Sequence, residues 1–92
     1  GTARTVPVKI TGGKLLLNLD TGALGELRAG LLDTAGKPIA GFGADQCDPL
    51  QVNSTGAIVS WSGKSELAAL AGRDVRLEFR SRRTKLYSFR FE

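Results

Sequence analysis

The sequence predicts an all-β domain: an antiparallel β-sandwich of jelly-roll type, with about seven short strands and one short helical turn near residues 65–71. Three observations carry this prediction. Apolar and polar residues alternate with a period of two in several short stretches. Turn-forming residues, including 12 glycines, separate those stretches at near-regular spacing. Helical periodicity surfaces in one place only, and briefly.

Taken in order, Val6, Val8 and Ile10 alternate with Pro7 and Lys9 and define a first strand. Pro7 has no N–H to give a ladder, so this strand belongs at a sheet edge. Gly12-Gly13 is a hairpin signal, and Leu15, Leu17 and Leu19 form the inward face of the next strand. After the Thr21-Gly22-Ala23 turn, Leu24–Asp33 places Leu27, Ala29 and Leu31 on one face and Glu26, Arg28 and Gly30 on the other. The cluster from Asp33 to Pro38 is dense in turn formers, and Ile39–Phe42 pairs back across it. Ala44–Gly56 is irregular, with a short strand over Leu50–Val52. Ala57–Trp61 is a clearer strand, with Val59 and Trp61 on one face. Ser65 is placed to cap a helical turn that packs Leu67, Leu70 and Ala71 inward. Val75, Leu77 and Phe79 then define a half-buried strand, Ser81–Thr84 a polar turn, and Tyr87, Phe89 and Phe91 the inward face of the last strand.

Ninety-two residues, 41% hydrophobic and 24% charged, make one globular domain spanning 1–92. No apolar run approaches the ~20 residues of a membrane helix. Cys47 is the only cysteine, so the core holds the fold without an internal disulfide. The absence of histidine removes Ser–His and Cys–His nucleophile pairs and histidine zinc sites. There is no glycine-rich phosphate loop either. The sequence therefore predicts no enzyme and no cofactor. The net charge is +4, and Arg80, Arg82, Arg83 and Lys85 concentrate it around one hairpin.

Several blocks carry a resemblance. They are Gly25-Glu26-Leu27-Arg28, Leu32-Asp33, Gly36-Lys37-Pro38-Ile39 and Gly41-Phe42, followed by Asp45-x-Cys47-Asp48-Pro49. Trp61-x-Gly63-Lys64-Ser65, Leu70-Ala71-Gly72-Arg73-x-Val75-Arg76-Leu77 and Leu86-Tyr87-Ser88-Phe89-x-Phe91 complete the set. In this order they resemble the C-terminal β-sandwich module of secreted bacterial proteins of planctomycete type. Those proteins are similar to propeller glycoside hydrolases of family 32. The resemblance implies a secreted or periplasmic parent and an accessory role beside a catalytic domain of the same chain. It carries over no catalytic residue. It also implies an acidic or neutral hairpin where this chain has Ser81-Arg82-Arg83-Thr84.

The residues nominate four features. Trp61 and Tyr87, with Arg90, are the groups able to stack on and hold a sugar ring, although both aromatics also fit core positions. Arg80, Arg82, Arg83 and Lys85 form an anionic-partner patch or a solvated hairpin. Asp45 and Asp48 are turn acids and weak candidate calcium ligands. Cys47 reads as a small buried apolar group. The expected function is that of a non-catalytic accessory module, mainly structural or docking, with weak carbohydrate binding. The alternative is a stand-alone interaction domain that takes an acidic glycan or nucleic acid on the basic hairpin. Nucleic acid is disfavoured because no exposed aromatics interleave with the basic residues. An unpaired sheet edge is expected to support self-association of the chain.

Overall fold

The computed structural model describes residues 1–92, with strands β1 (Thr2–Arg4), β2 (Val8–Lys9), β3 (Leu15–Asp20), β4 (Glu26–Leu32), β5 (Asn53–Ile58), β6 (Asp74–Arg82) and β7 (Lys85–Phe91). Of these, β3, β4 and β6 form where the alternation is strongest, whereas β1 and β5 carry little of it. The only helical pieces are 3-10 turns at Ala44–Gln46 and Ala68–Leu70. Two antiparallel sheets pack face to face, as the sandwich prediction requires. In sheet one, β6 is central, with β4 on one side and β1 and β2 end to end on the other. In sheet two, β3 lies between β5 and β7. From β2 to β7 each successive strand changes sheet, the alternation on which jelly rolls are built.

The core is the sum of the inward faces. Leu15, Leu17 and Leu19 of β3 meet Leu27, Ala29 and Leu31 of β4 and Val75, Leu77 and Phe79 of β6, all buried. Ile10, Val59, Trp61, Leu67 and Leu70 close its ends. Each fully buried leucine contributes about 1.5–3 kcal/mol of transfer free energy, and β3 supplies three of the 15 core residues.

Several elements differ from expectation, each for a local reason. The expected first strand shortens to Val8–Lys9, and a separate strand, Thr2–Arg4, precedes it; between them Thr5 turns to Leu77, its N–H donating to the Leu77 carbonyl and its hydroxyl accepting the Leu77 N–H. Val6 is left exposed beside Pro7, although both pieces do lie at an edge. Gly12-Gly13 joins strands of different sheets instead of closing a hairpin. Ile39–Phe42 forms no strand, the neighbouring Pro38 alone bridging to Leu32, and Leu50–Val52 is reduced to the bridge at Leu50. The strand expected at Ala57–Trp61 begins earlier, at Asn53, and ends at Ile58. Near 65–71, the 3-10 turn starts from Leu67 with no capping side chain. Leu67 and Leu70 pack inward, but Ala71 is exposed and Ser65 caps nothing.

The outer edge of β4 shows how an irregular loop replaces a strand. Leu27 exchanges both backbone hydrogen bonds with Leu50, at 2.8 and 2.9 Å. Leu31 donates to the Phe42 carbonyl at 2.7 Å and accepts from the Ile39 N–H at 2.9 Å. Between them, Ala29 is served by side chains. Its N–H donates to Cys47 Sγ at 3.3 Å, and its carbonyl accepts the Trp61 indole N–H at 2.9 Å. No buried side-chain nitrogen or oxygen is left without a partner.

In β7 the register with β3 slips between Asn18 and Leu19, so that Ser88 faces Asn18 while Leu86 faces Leu19. Tyr87 is the extra residue of this bulge. The bulge puts Leu86 in the inward position expected for Tyr87, with Phe89 and Phe91 packing on the core as predicted.

Candidate functional site

The outward positions of sheet one are polar by the same alternation that makes its inward positions apolar. Register then decides which polar groups meet. Arg28 of β4 lies directly opposite Arg80 of β6, Glu26 opposite Arg82, and Gly30 opposite Glu78. On the far side of β6, Thr2 faces Arg80 and Arg4 faces Glu78. Around Arg28, Arg80 and Arg82 this face forms an open cleft of about 330 Å³. It is lined by Thr2, Glu26, Arg28, Arg80, Ser81 and Arg82 together with Gly1, without a single hydrophobic side chain. Three arginines against one glutamate make it basic.

The floor beside the cleft is a buried ion pair. Glu78 is only 2% exposed. Arg4 donates to its Oε2 through Nε and Nη2, both at 2.8 Å, and Arg80 Nη2 reaches Oε1 at 3.2 Å. A charge taken out of water needs such partners. The 3-10 turn at Ala44–Gln46 rests on this part of the face, and Gly30 makes room for it. A Cβ on Gly30 would lie 2.5 Å from the Ala44 nitrogen.

The arginines differ in how fully they are used. Arg80 donates through Nη1 to Asp45 at 2.6 Å. That hydrogen bond, ahead of the Glu78 charge, strengthens its hold on its proton. Arg28 has only long contacts, 3.4 Å to Glu26 and 3.5 Å to the Cys47 carbonyl. Arg82 lies in register with Glu26 but forms no ion pair. Two of the three guanidiniums therefore hold donors free for an incoming acceptor.

The hairpin patch is divided by the structure. Arg80 and Arg82 line the cleft. Arg83 sits at the turn with a positive φ of 50°, and Lys85 stands on sheet two opposite Asp20. Arg28 takes their place. Its outward position was legible from the alternation, but its pairing with Arg80 depends on a strand register that local sequence does not encode.

Trp61 is removed from the sugar-stacking candidates. It is 2% exposed, packs edge-on against Phe42 at 5.4 Å and donates to Ala29, so no ring face is open. Tyr87 is 62% exposed because of the bulge, against the core position it was expected to fill. Arg90 is exposed on the same strand, tied to Glu92 and to the Thr55 carbonyl. The two candidate calcium ligands serve separate structural partners. Asp45 holds Arg80, while Asp48 Oδ2 accepts the Ser60 hydroxyl at 2.6 Å and the Gly63 N–H at 2.9 Å. The Ser60 and then the Gly63 hydrogen bond keep the Asp48 carboxyl below its ordinary value. No group of three or more His, Cys, Asp or Glu side chains assembles into a metal site. Burial pushes the Cys47 thiol up, outweighing the Ala29 hydrogen bond that favours its thiolate.

Comparison of the chain with protein-family models, curated proteins and solved structures returns no match in any of the three.

Proposed function

We propose that this domain is a non-catalytic accessory module that binds an acidic polysaccharide along the cleft of sheet one. The observation that carries the reading is the direct opposition of Arg28 and Arg80 in a cleft with no apolar lining. Like charges directly opposite one another destabilise a sheet. Glu26, Glu78 and Asp45 offset part of that cost in the free domain, and an anionic group placed between the two guanidiniums lowers it further. An acidic glycan presents repeated carboxylates or sulfates and needs no apolar platform. Nucleic acid is the weaker fit, because bases stack on aromatic rings and the exposed tyrosine lies on the other sheet. The accessory role beside a catalytic domain of a secreted parent is the part that the block resemblance supports.

Retention on immobilised heparin under a salt gradient tests this reading. Arg28→Ala and Arg82→Ala are expected to elute at clearly lower salt than the unaltered domain, and Arg83→Ala close to it. Equal losses for Arg82→Ala and Arg83→Ala with none for Arg28→Ala would return the activity to the hairpin as a whole. Salt-insensitive retention would remove the electrostatic basis. Tighter retention on single-stranded DNA than on heparin would reassign the ligand to nucleic acid.

A second reading rests on Tyr87, whose ring is displaced outward on the strand that also carries Arg90 and can cover the apolar face of a neutral sugar. It requires binding to neutral oligosaccharides on a glycan array that Tyr87→Ala abolishes. No binding at millimolar ligand would remove it.

A further inference from the structure

We infer that Arg28 and Arg80 form a seat for a single oxyanion, a carboxylate or a sulfate group, and that the Asp45 carboxylate is its built-in competitor. This inference rests on the reading of the cleft as the working surface.

Arg28 supplies the open half of the seat. A guanidinium has five N–H donors in a planar fork suited to a carboxylate or sulfate, and both contacts of Arg28 lie at the outer limit of a hydrogen bond. Arg80 supplies the other half, but its guanidinium is shared. Nη2 is committed to the buried Glu78, and Nη1 to Asp45 at 2.6 Å. Asp45 does not line the cleft. It projects from the 3-10 turn over the outer face, with a side chain 78% exposed.

The two acids have different standing. Glu78 is a buried structural partner and stays with Arg80 whether or not a ligand is present. Asp45 is a solvated carboxylate making a short, charge-assisted bond that any stronger oxyanion can replace at little cost in desolvation. The Asp45 carboxylate thus holds the Arg80 donor that the ligand's own group would take. Releasing it frees Nη1 to turn towards Arg28, and the two guanidiniums close on the ligand from adjacent strands.

The test follows arginine Nε–H resonances in labelled protein titrated with sodium sulfate and, separately, sodium glucuronate at constant ionic strength. Saturable shifts at Arg28 and Arg80 are expected, and the two anions distinguish a tetrahedral from a planar preference. Asp45→Asn is expected to tighten binding about two- to fivefold, the worth of an exposed ion pair. Glu66→Gln makes the same charge change outside the cleft and is expected to leave affinity unaltered. Arg28→Gln is expected to weaken binding about tenfold. Unchanged affinity in Asp45→Asn, or an equal gain in Glu66→Gln, overturns the competition. No saturable shift at Arg28 and Arg80 overturns the seat. If heparin retention still depends on Arg28 in that case, the polysaccharide reading survives without the seat; if it does not, both fall.

Discussion

Trp61→Phe tests the way the β4 edge is sealed. The substitution keeps an aromatic ring in the core but removes the N–H that reaches the Ala29 carbonyl. That carbonyl lies at a buried residue whose N–H is already turned to Cys47. A buried acceptor left unpaired costs about 1–3 kcal/mol. The volume lost from a site that is 2% exposed adds about 1–2 kcal/mol. The expected loss of about 2–5 kcal/mol is a large part of the roughly 5–10 kcal/mol available to a domain of this size. Trp61 is the only tryptophan, so unfolding in urea has to be followed by far-ultraviolet circular dichroism instead of indole fluorescence. With a slope near 1 kcal/mol per molar urea, the midpoint should fall by about 2 M or more. Cys47→Ala removes the other side-chain partner of Ala29, and the double variant should show a coupling of about 0.5 kcal/mol or more. A midpoint shift below 0.5 M for Trp61→Phe, with no coupling to Cys47, would refute the idea that these two side chains stand in for an edge strand.

Three further outcomes follow from the same structure. Gly30→Ala should destabilise the domain by about 1–3 kcal/mol, because its Cβ meets the Ala44 backbone; thermal unfolding unchanged within 2 °C would contradict that. Asp48 has a depressed folded-state carboxyl, so its contribution is present above the ordinary aspartate range and disappears as pH falls through the lower folded value. The stability gap between the natural domain and Asp48→Asn should accordingly shrink between pH 5 and pH 2.5, and a gap independent of pH would count against the Ser60 and Gly63 bonds as its cause. Arg83 holds a left-handed backbone conformation, so Arg83→Gly should leave stability unchanged or raise it by up to about 1 kcal/mol; a loss above 1 kcal/mol in thermal unfolding would show that the Arg83 side chain is structurally needed.

The fold was legible where side-chain alternation is strict. Leu15-Leu17-Leu19, Leu27-Ala29-Leu31 and Val75-Leu77-Phe79 sort cleanly to one face, and the structure buries all nine. Legibility failed where a partner outside the local window decides. Tyr87 alternates perfectly with Phe89 and Phe91, yet the bulge against Asn18 and Leu19 turns it outward. Trp61 fits a core position better than a ligand position by alternation, and its burial, the Phe42 contact and the bond to Ala29 settle it as core. The cleft was half visible. Arg80 and Arg82 stood out as part of a charge run, whereas Arg28, 52 positions before Arg80 in sequence, meets it only through the β4–β6 register.

The alternation of strands between the sheets has a kinetic consequence. No two strands that follow each other in sequence pair with each other, and β1 finds its partner β6 near the opposite end of the chain. The only short-range closure near a strand is the turn that brings Ile39 and Phe42 back to Leu31. The first ladder a nascent chain can complete is β3–β5, across the long segment from Asp20 to Asn53, and sheet one waits for β6, so every ladder carries a large loop-closure entropy before it forms. Refolding measured by stopped-flow circular dichroism should take milliseconds to seconds, and a dominant phase in microseconds would show that some local structure does the nucleating after all.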